Sequence, residues 1–268
     1  MSVSGTRSAL YSLARFLGDY QAVKNGRVGK RLARRVRSSW IVATALAVVL
    51  VACVPMKPPP PAPPCPGCAV YLTLDDGPSV YTPQILSELE AKGAPATFFV
   101  LGENAVRYPS YVQRESADGD GIGDHTWDHP DLTTLPPDQI RQELESTAEE
   151  IASLTGSRPT LWRPPNGSYT STVTQIASSL GLSMRLWDVD PRDWSLPGTN
   201  EIVRRVVDNV RNGDIVLLHD GGGNRSQTVE SLPTIIDTLR ARGYEFGTLA
   251  TSAGPVGPTG PNVAISRE

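Results

Sequence analysis

Two of the chain's three histidines fall within one short stretch, GIGDHTWDHPDLTTL, residues 121 to 135. His125 and His129 stand four positions apart, with Asp128 between them. Neutral imidazole is the commonest transition-metal ligand, and a single turn of backbone can aim two rings at one ion. A surface turn or two hydrogen-bonded core histidines would show the same spacing, so the metal reading needs a third ligand. Asp75 and Asp76 offer one: alternation along a strand points adjacent side chains apart, so one carboxylate can ligate while the other lies beside it. A tandem Asp on its own reads as a turn or a helix cap. With two histidines it completes a two-His, one-carboxylate set, which leaves open positions on a metal for water and substrate.

The third histidine, His219, ends the apolar run in IVLLHD. Such a histidine can simply be a hydrogen-bonded core residue. Beside a metal it supplies what amide hydrolysis needs, a donor that protonates the departing amine. Arg163 in WRPPNG and Asp193 in PRDW would be costly if buried alone and become reasonable as partners of a base and of an acid. Trp194, next to Asp193, fits plain core equally well.

These residues need elements that bring them together, and from Val70 onward strands and helices alternate. Strands are expected at 69–74, 96–101, 160–165, 183–190, 214–220 and 244–249, and helices at 81–93, 105–117, 137–156, 171–180, 200–211 and 227–242. The first helix has Thr82 as N-cap, Pro83 at its first position and Gly93 as its stop. In the third, Ile140, Leu144, Ile151 and Leu154 recur at helical spacing, which buries one face and exposes an acidic one. The βα alternation predicts an α/β domain with parallel strands, either a barrel or an open sheet. The motifs LDDGP, GDHTWDH, WRPPNG, VDPRDW and LLHD all close strands at their C-terminal ends, the edge where loops converge on one mouth.

Charge divides the chain. Residues 1 to 57 hold ten Lys/Arg against one acidic residue, Asp19, while the rest holds 15 basic and 27 acidic residues, so a net −3 conceals +9 followed by −12. The basic run GRVGKRLARRVR (26–37) precedes an uncharged apolar stretch, SSWIVATALAVVLVAC (38–53), which is the layout of an export signal or signal-anchor. Its end, LVAC, is similar to the lipobox of bacterial lipoproteins and makes Cys53 a lipidation candidate. The basic run reads as topology-setting charge, so no nucleic-acid partner is expected. Residues 1–53 therefore form an exporting or anchoring segment, and 54–68 a proline-rich spacer. CPGC places Cys65 and Cys68 as a disulfide candidate in an exported protein, and with no second Cys pair a Cys-based zinc site is excluded. The Gly/Pro-rich tail, 251–268, is expected to be disordered.

In this order and spacing, TLDDGP, HTWDH, RPPNG, DPRDW and LLHD resemble the five motifs of the polysaccharide deacetylases, the NodB-homology domains of carbohydrate esterase family four. The resemblance spans roughly residues 69 to 250 and implies a distorted (β/α) barrel of seven strands. It implies Asp75 as catalytic base, Asp76, His125 and His129 as metal ligands, and Arg163 as the group orienting the base. The Asn166 N–H would face the oxyanion, Asp193 would tune His219 as general acid, and Trp194 and Leu217 would wall the acetyl methyl pocket. Asp128 would then be a structural residue of the loop. The implied cofactor is one divalent cation, Zn²⁺ first and Co²⁺ or Ni²⁺ as alternatives. The implied reaction removes N-acetyl groups from N-acetylglucosamine or N-acetylmuramic acid units of an envelope polysaccharide, by a monomer at the cell surface. Two other readings compete: an O-acetyl esterase acting on acetylated xylan, and a non-catalytic wall-binding module. Departures from the family pattern are modest: Leu74 replaces the usual Phe, Asn166 a common Tyr, and DGDGIG lacks the His-Glu often found before the histidine motif.

Overall fold

CAVYLTLDDG forms the central strand β1, Cys68–Gly77, whose Val70, Leu72 and Leu74 are fully buried. A computed structural model describes residues 64–249. The expectations for the segment 1–53 with Cys53, for the spacer up to residue 63 and for the tail from 250 lie outside the described residues.

Six more strands follow: β2 (Thr97–Val100), β3 (Gly121–Asp124), β4 (Leu161–Trp162), β5 (Ser183–Met184), β6 (Ile215–His219) and β7 (Tyr244–Phe246). All pair in parallel, in the order β5-β4-β3-β2-β1-β6, with β7 on β1. Strands covered on both faces read as near-continuous apolar runs, as TFFV and IVLL do here. Seven helices connect them: α1 (Thr82–Lys92), α2 (Gly102–Arg107), α3 (Pro109–Ala117), α4 (Pro137–Thr155), α5 (Ser171–Ser179), α6 (Thr199–Val207) and α7 (Ser226–Ala241). One core cluster joins β1 and β6 to Ile85 and Leu86 of α1 and to Ile235 and Ile236 of α7. In α4, Ile140, Leu144 and Ile151 are buried as their spacing predicts, and Leu154 packs partly buried against the core.

Four expectations shift, each for a local reason. The helix expected at 105–117 begins at Gly102 and breaks at Tyr108, because Pro109 restricts the preceding residue and lacks an N–H. The strand expected at 160–165 shortens to two residues, since Pro164 and Pro165 cannot donate to a ladder. Thr82 is the first residue of α1 and not its cap: its hydroxyl accepts from the Ser79 N–H and donates to the Asp220 carboxylate. Gly93 does end α1, in the left-handed conformation at φ 54°. The strand expected at 183–190 divides between two partners. Ser183 and Met184 pair with β4, whereas Asp188 and Val189 donate to the Ile215 carbonyl and Val189 bridges Val216 of β6. Between them, the carbonyls of Arg185 and Leu186 accept from the Arg163 guanidinium instead of a neighbouring strand. The expected barrel is thus an unclosed seven-stranded parallel sheet, interrupted where an arginine side chain replaces ladder hydrogen bonds. The remaining element ends differ from expectation by up to a few residues, the commonest kind of boundary disagreement.

Cys65 and Cys68 are joined in a disulfide at the start of β1, and the Cys65 N–H donates to the Arg242 carbonyl just after α7. Among the described residues no helix is long and apolar enough to cross a membrane.

Candidate metal and catalytic site

The C-terminal ends of β1, β3, β4 and β6 deliver Asp75 and Asp76, His125, Arg163 and His219 to one edge of the sheet. A cavity of about 370 Å³ opens there, lined by Asp75, Asp76, His125, His129, Asn166, Trp194, Leu217 and His219. This size suits a small polar ligand group. Arg163 and Asp193 stand behind the lining, both fully buried.

Asp76, His125 and His129 offer ligand atoms that lie within 4.8 Å of one another. Asp76 Oδ1 is 3.4 Å from Nε2 of each histidine. His125 Nδ1 lies 2.8 Å from the Arg163 carbonyl, which can only accept, so the proton sits on Nδ1 and the Nε2 lone pair faces Asp76. Asp76 Oδ1 itself is buried and has no hydrogen-bond partner. An orphaned carboxylate oxygen opposed by two imidazole nitrogens is a donor set that fits a divalent cation. Electrostatics agree. Burial disfavours charge on Asp76, yet the nearby His125, with His219 and His129, outweighs burial and holds its carboxyl below the usual range. Burial also opposes a proton on His125, but Asp75 and Asp76 overcome it and raise the pKa, so the site attracts positive charge.

Backbone conformation sets these aims. Asp76, Thr126, His129 and Asn166 all have positive φ, an uncommon state for non-glycine residues that the surrounding contacts must hold. Asp124 Oδ1 accepts from the Thr126 N–H, and Glu143 of α4 accepts from the N–H groups of Trp127 and Asp128, clamping the loop from both sides. Asp128 itself is exposed and is not among the residues whose ligand atoms cluster.

Asp75 Oδ1 accepts from Arg163 Nη1 at 2.6 Å, and its Oδ2 lies 3.7 Å from His125 Nε2. Arg163 also donates to the Thr73 hydroxyl and to the Arg185 and Leu186 carbonyls, and its guanidinium lies 4.0 Å from the centre of the Phe99 ring. Held from several sides, it orients Asp75 with one oxygen committed and the other turned to the cavity.

On β6, His219 Nδ1 lies 2.7 Å from Asp193 Oδ1, while Asp193 Oδ2 accepts from the His219 N–H and the Thr228 hydroxyl. A carboxylate opposite Nδ1 places the proton there and leaves Nε2 for the cavity. Burial lowers the His219 pKa, but the Asp193 bond and charge, with Asp75 and Asp76, raise it above its ordinary value. Asn166 sits exposed in the Pro165–Gly167 turn at φ 55°, and no hydrogen bond to its N–H is present among the described residues. Trp194 is 46 % exposed, which removes the plain-core alternative, and the Arg192 guanidinium lies 5.1 Å from its ring centre. Leu217 is buried beneath the mouth.

Sequence reasoning missed Trp187, Asp190 and Arg225 in the lining and Thr228 and Glu143 behind it. Thr228, Glu143 and Arg225 meet partners distant in sequence, whereas Asp190, the first residue of DPRDW and three positions from Asp193, carried a local signal.

The sequence profile described as "Polysaccharide deacetylase" matches residues 64–185. A peptidoglycan-N-acetylglucosamine deacetylase of Bacillus cereus is 39% identical over 184 residues, covering 68% of this chain and 86% of the relative. A chitooligosaccharide deacetylase of a Bradyrhizobium strain is 38% identical over 191 residues, covering 66% of this chain and 87% of the relative. Among solved structures, a family 4 carbohydrate esterase from Streptomyces lividans in complex with acetate superimposes with a TM-score of 0.67 at 34% identity, covering 72% of this chain and all of that one. With its parallel seven-stranded sheet, the chain belongs to the polysaccharide deacetylase family of hydrolases.

Proposed function

We propose that the protein is a metal-dependent N-deacetylase of a cell-envelope polysaccharide, with peptidoglycan as first substrate. It hydrolyses the N-acetyl group of N-acetylglucosamine or N-acetylmuramic acid units and releases acetate. One observation carries this reading: a base held by a buried arginine (Asp75–Arg163) and an acid held by a buried aspartate (His219–Asp193) line the same cavity as the Asp76, His125 and His129 cluster. A divalent cation held by those three, Zn²⁺ by preference and Co²⁺ or Ni²⁺ as alternatives, would polarise the acetyl carbonyl and acidify water.

The chain's own groups account for the rest. Asp75 Oδ2, free of the arginine, takes the proton of the attacking water. The Asn166 N–H is available to the oxyanion as the carbonyl carbon becomes tetrahedral. His219 Nε2 gives its proton to the amine nitrogen as the C–N bond breaks, and acetate and a free amino sugar result. Trp194 and Leu217 wall the space for the acetyl methyl. The names of the Bacillus and Bradyrhizobium relatives support an N-acetylated glycan, and the basic-apolar segment with its proline-rich spacer supports an exported protein anchored by lipid on Cys53 or by a signal-anchor.

The test is acetate release from peptidoglycan, chitin oligomers and acetylated xylan, followed by mass spectrometry, with Zn²⁺ bound to wild type and to Asp75→Asn. Wild type should deacetylate an N-acetylated glycan, and D75N should bind Zn²⁺ yet lose on the order of 100- to 10,000-fold in rate. Full activity in D75N overturns the assignment of the base, and release from xylan alone overturns the substrate.

A further inference from the structure

Arg225 belongs to none of the motifs, yet it lines the cavity while only 4% exposed. Its Nε donates to the Gly221 carbonyl, and its Nη2 lies 4.0 Å from Asp76 Oδ2. Asp76 therefore has opposite charge or ring nitrogens on two sides: Oδ1 faces the two histidine nitrogens and Oδ2 faces the guanidinium at ion-pair distance. The loop carrying Arg225 is shaped to this carboxylate. A Cβ on Gly222 would come within 2.3 Å of Asp76 Oδ2, and one on Gly221 within 1.9 Å of the Asp76 carbonyl oxygen. The glycines in HDGGGNR thus allow a close approach to Asp76 that side chains would block, with Gly222 at φ 69°.

A guanidinium beside a cation site is electrostatically unfavourable for the cation. Its placement there makes sense if it fixes the ligand, because ligating carboxylates are themselves oriented by outer hydrogen-bonding partners. We propose that Arg225 is a positioning residue for Asp76, holding Oδ2 so that Oδ1 stays aimed at His125 and His129. The inference rests on Asp76 being a metal ligand.

The two ideas separate in one set of Zn²⁺ affinity measurements by chelator competition on the full chain, with thermal melts of the metal-stripped proteins as a folding control. Simple charge removal predicts that Arg225→Gln binds Zn²⁺ more tightly than wild type. Positioning predicts the opposite sign: R225Q binds roughly 10- to 100-fold more weakly with its metal-free melting temperature nearly unchanged, and R225K falls between it and wild type. Equal or tighter binding by R225Q overturns the inference. Should R225Q not fold, R225K decides, because a lysine keeps the charge but lacks the anchored fork; wild-type affinity in folded R225K overturns the proposal. Asp76→Asn guards the premise. If D76N binds Zn²⁺ like wild type, the ligand assignment itself fails; if D76N loses the metal while R225Q does not, the role of Arg225 alone fails.

Discussion

At the scale of single residues, the site works by committing each side chain before substrate arrives. Asp75 and His219 would both be free to turn alone, and each is oriented by one buried partner, Arg163 or Asp193. For His219 the consequence is measurable. In its proposed role as general acid His219 acts only while protonated, so activity should fall as pH rises through its pKa, and Asp193 raises that pKa against the effect of burial. Asp193→Asn removes the raising charge, so the alkaline limb of the kcat/KM profile should move to lower pH, and the rate at its optimum should fall on the order of a hundredfold. A limb that stays in place would mean that another group sets it. Both buried partners were legible from the sequence, Arg163 near the end of an expected strand and Asp193 in PRDW, because a charged residue buried alone is costly and becomes reasonable only when paired.

At the scale of elements, the histidine loop is held by its neighbours more than by itself. The first N–H groups of α2, which have no partner inside the helix, donate to the carbonyls of Thr126 and Trp127. The strand ends could be read from the βα alternation, but this cross-element cap could not, since it links Gly102 and Glu103 to a loop twenty-odd residues on. The same holds for the Glu143 clamp, and for β5, whose division depends on the Arg163 side chain filling a gap in the ladder. Gly102 shows how tight the arrangement is: a Cβ there would lie 2.3 Å from the Trp127 ring and 2.7 Å from the Thr147 hydroxyl. Gly102→Ala should therefore push Trp127, which sits between His125 and His129, the proposed metal ligands, and destabilise the fold by about 1–3 kcal/mol. Urea unfolding would measure the loss, and Zn²⁺ affinity should weaken in parallel. A variant that loses stability with Zn²⁺ affinity unchanged would show that α2 supports the fold without steering the loop.

For the whole molecule, buried charge among the described residues is concentrated at one edge of the sheet, where ion pairs and the Asp76, His125 and His129 cluster lie, and Glu115 is buried away from it. Glu115 on α3 is fully buried, and neither carboxylate oxygen has a hydrogen-bond partner. Nothing in PSYVQRESA marks it as different from the exposed acidic residues around it, because the helix repeat places it on the inner face only once the packing partners are known. Burial, helped by Asp220 and Asp120, pushes its pKa well above the ordinary value near 4.5, so the native state holds a proton that the unfolded chain releases. The native state then binds more protons than the unfolded one, and stability declines as pH rises from the unfolded pKa toward the folded one. Asp120 and Asp220, raised by burial to about 6 and about 7, act in the same direction, so the wild-type decline is a sum. Glu115→Met removes one contributor while keeping a long apolar side chain. It should be the more stable protein at pH 8 by about 1–3 kcal/mol, with the gap narrowing as pH falls toward 5. Urea unfolding of both proteins at the two pH values measures that gap; an equal gap at both would mean that Glu115 carries the same charge throughout the range.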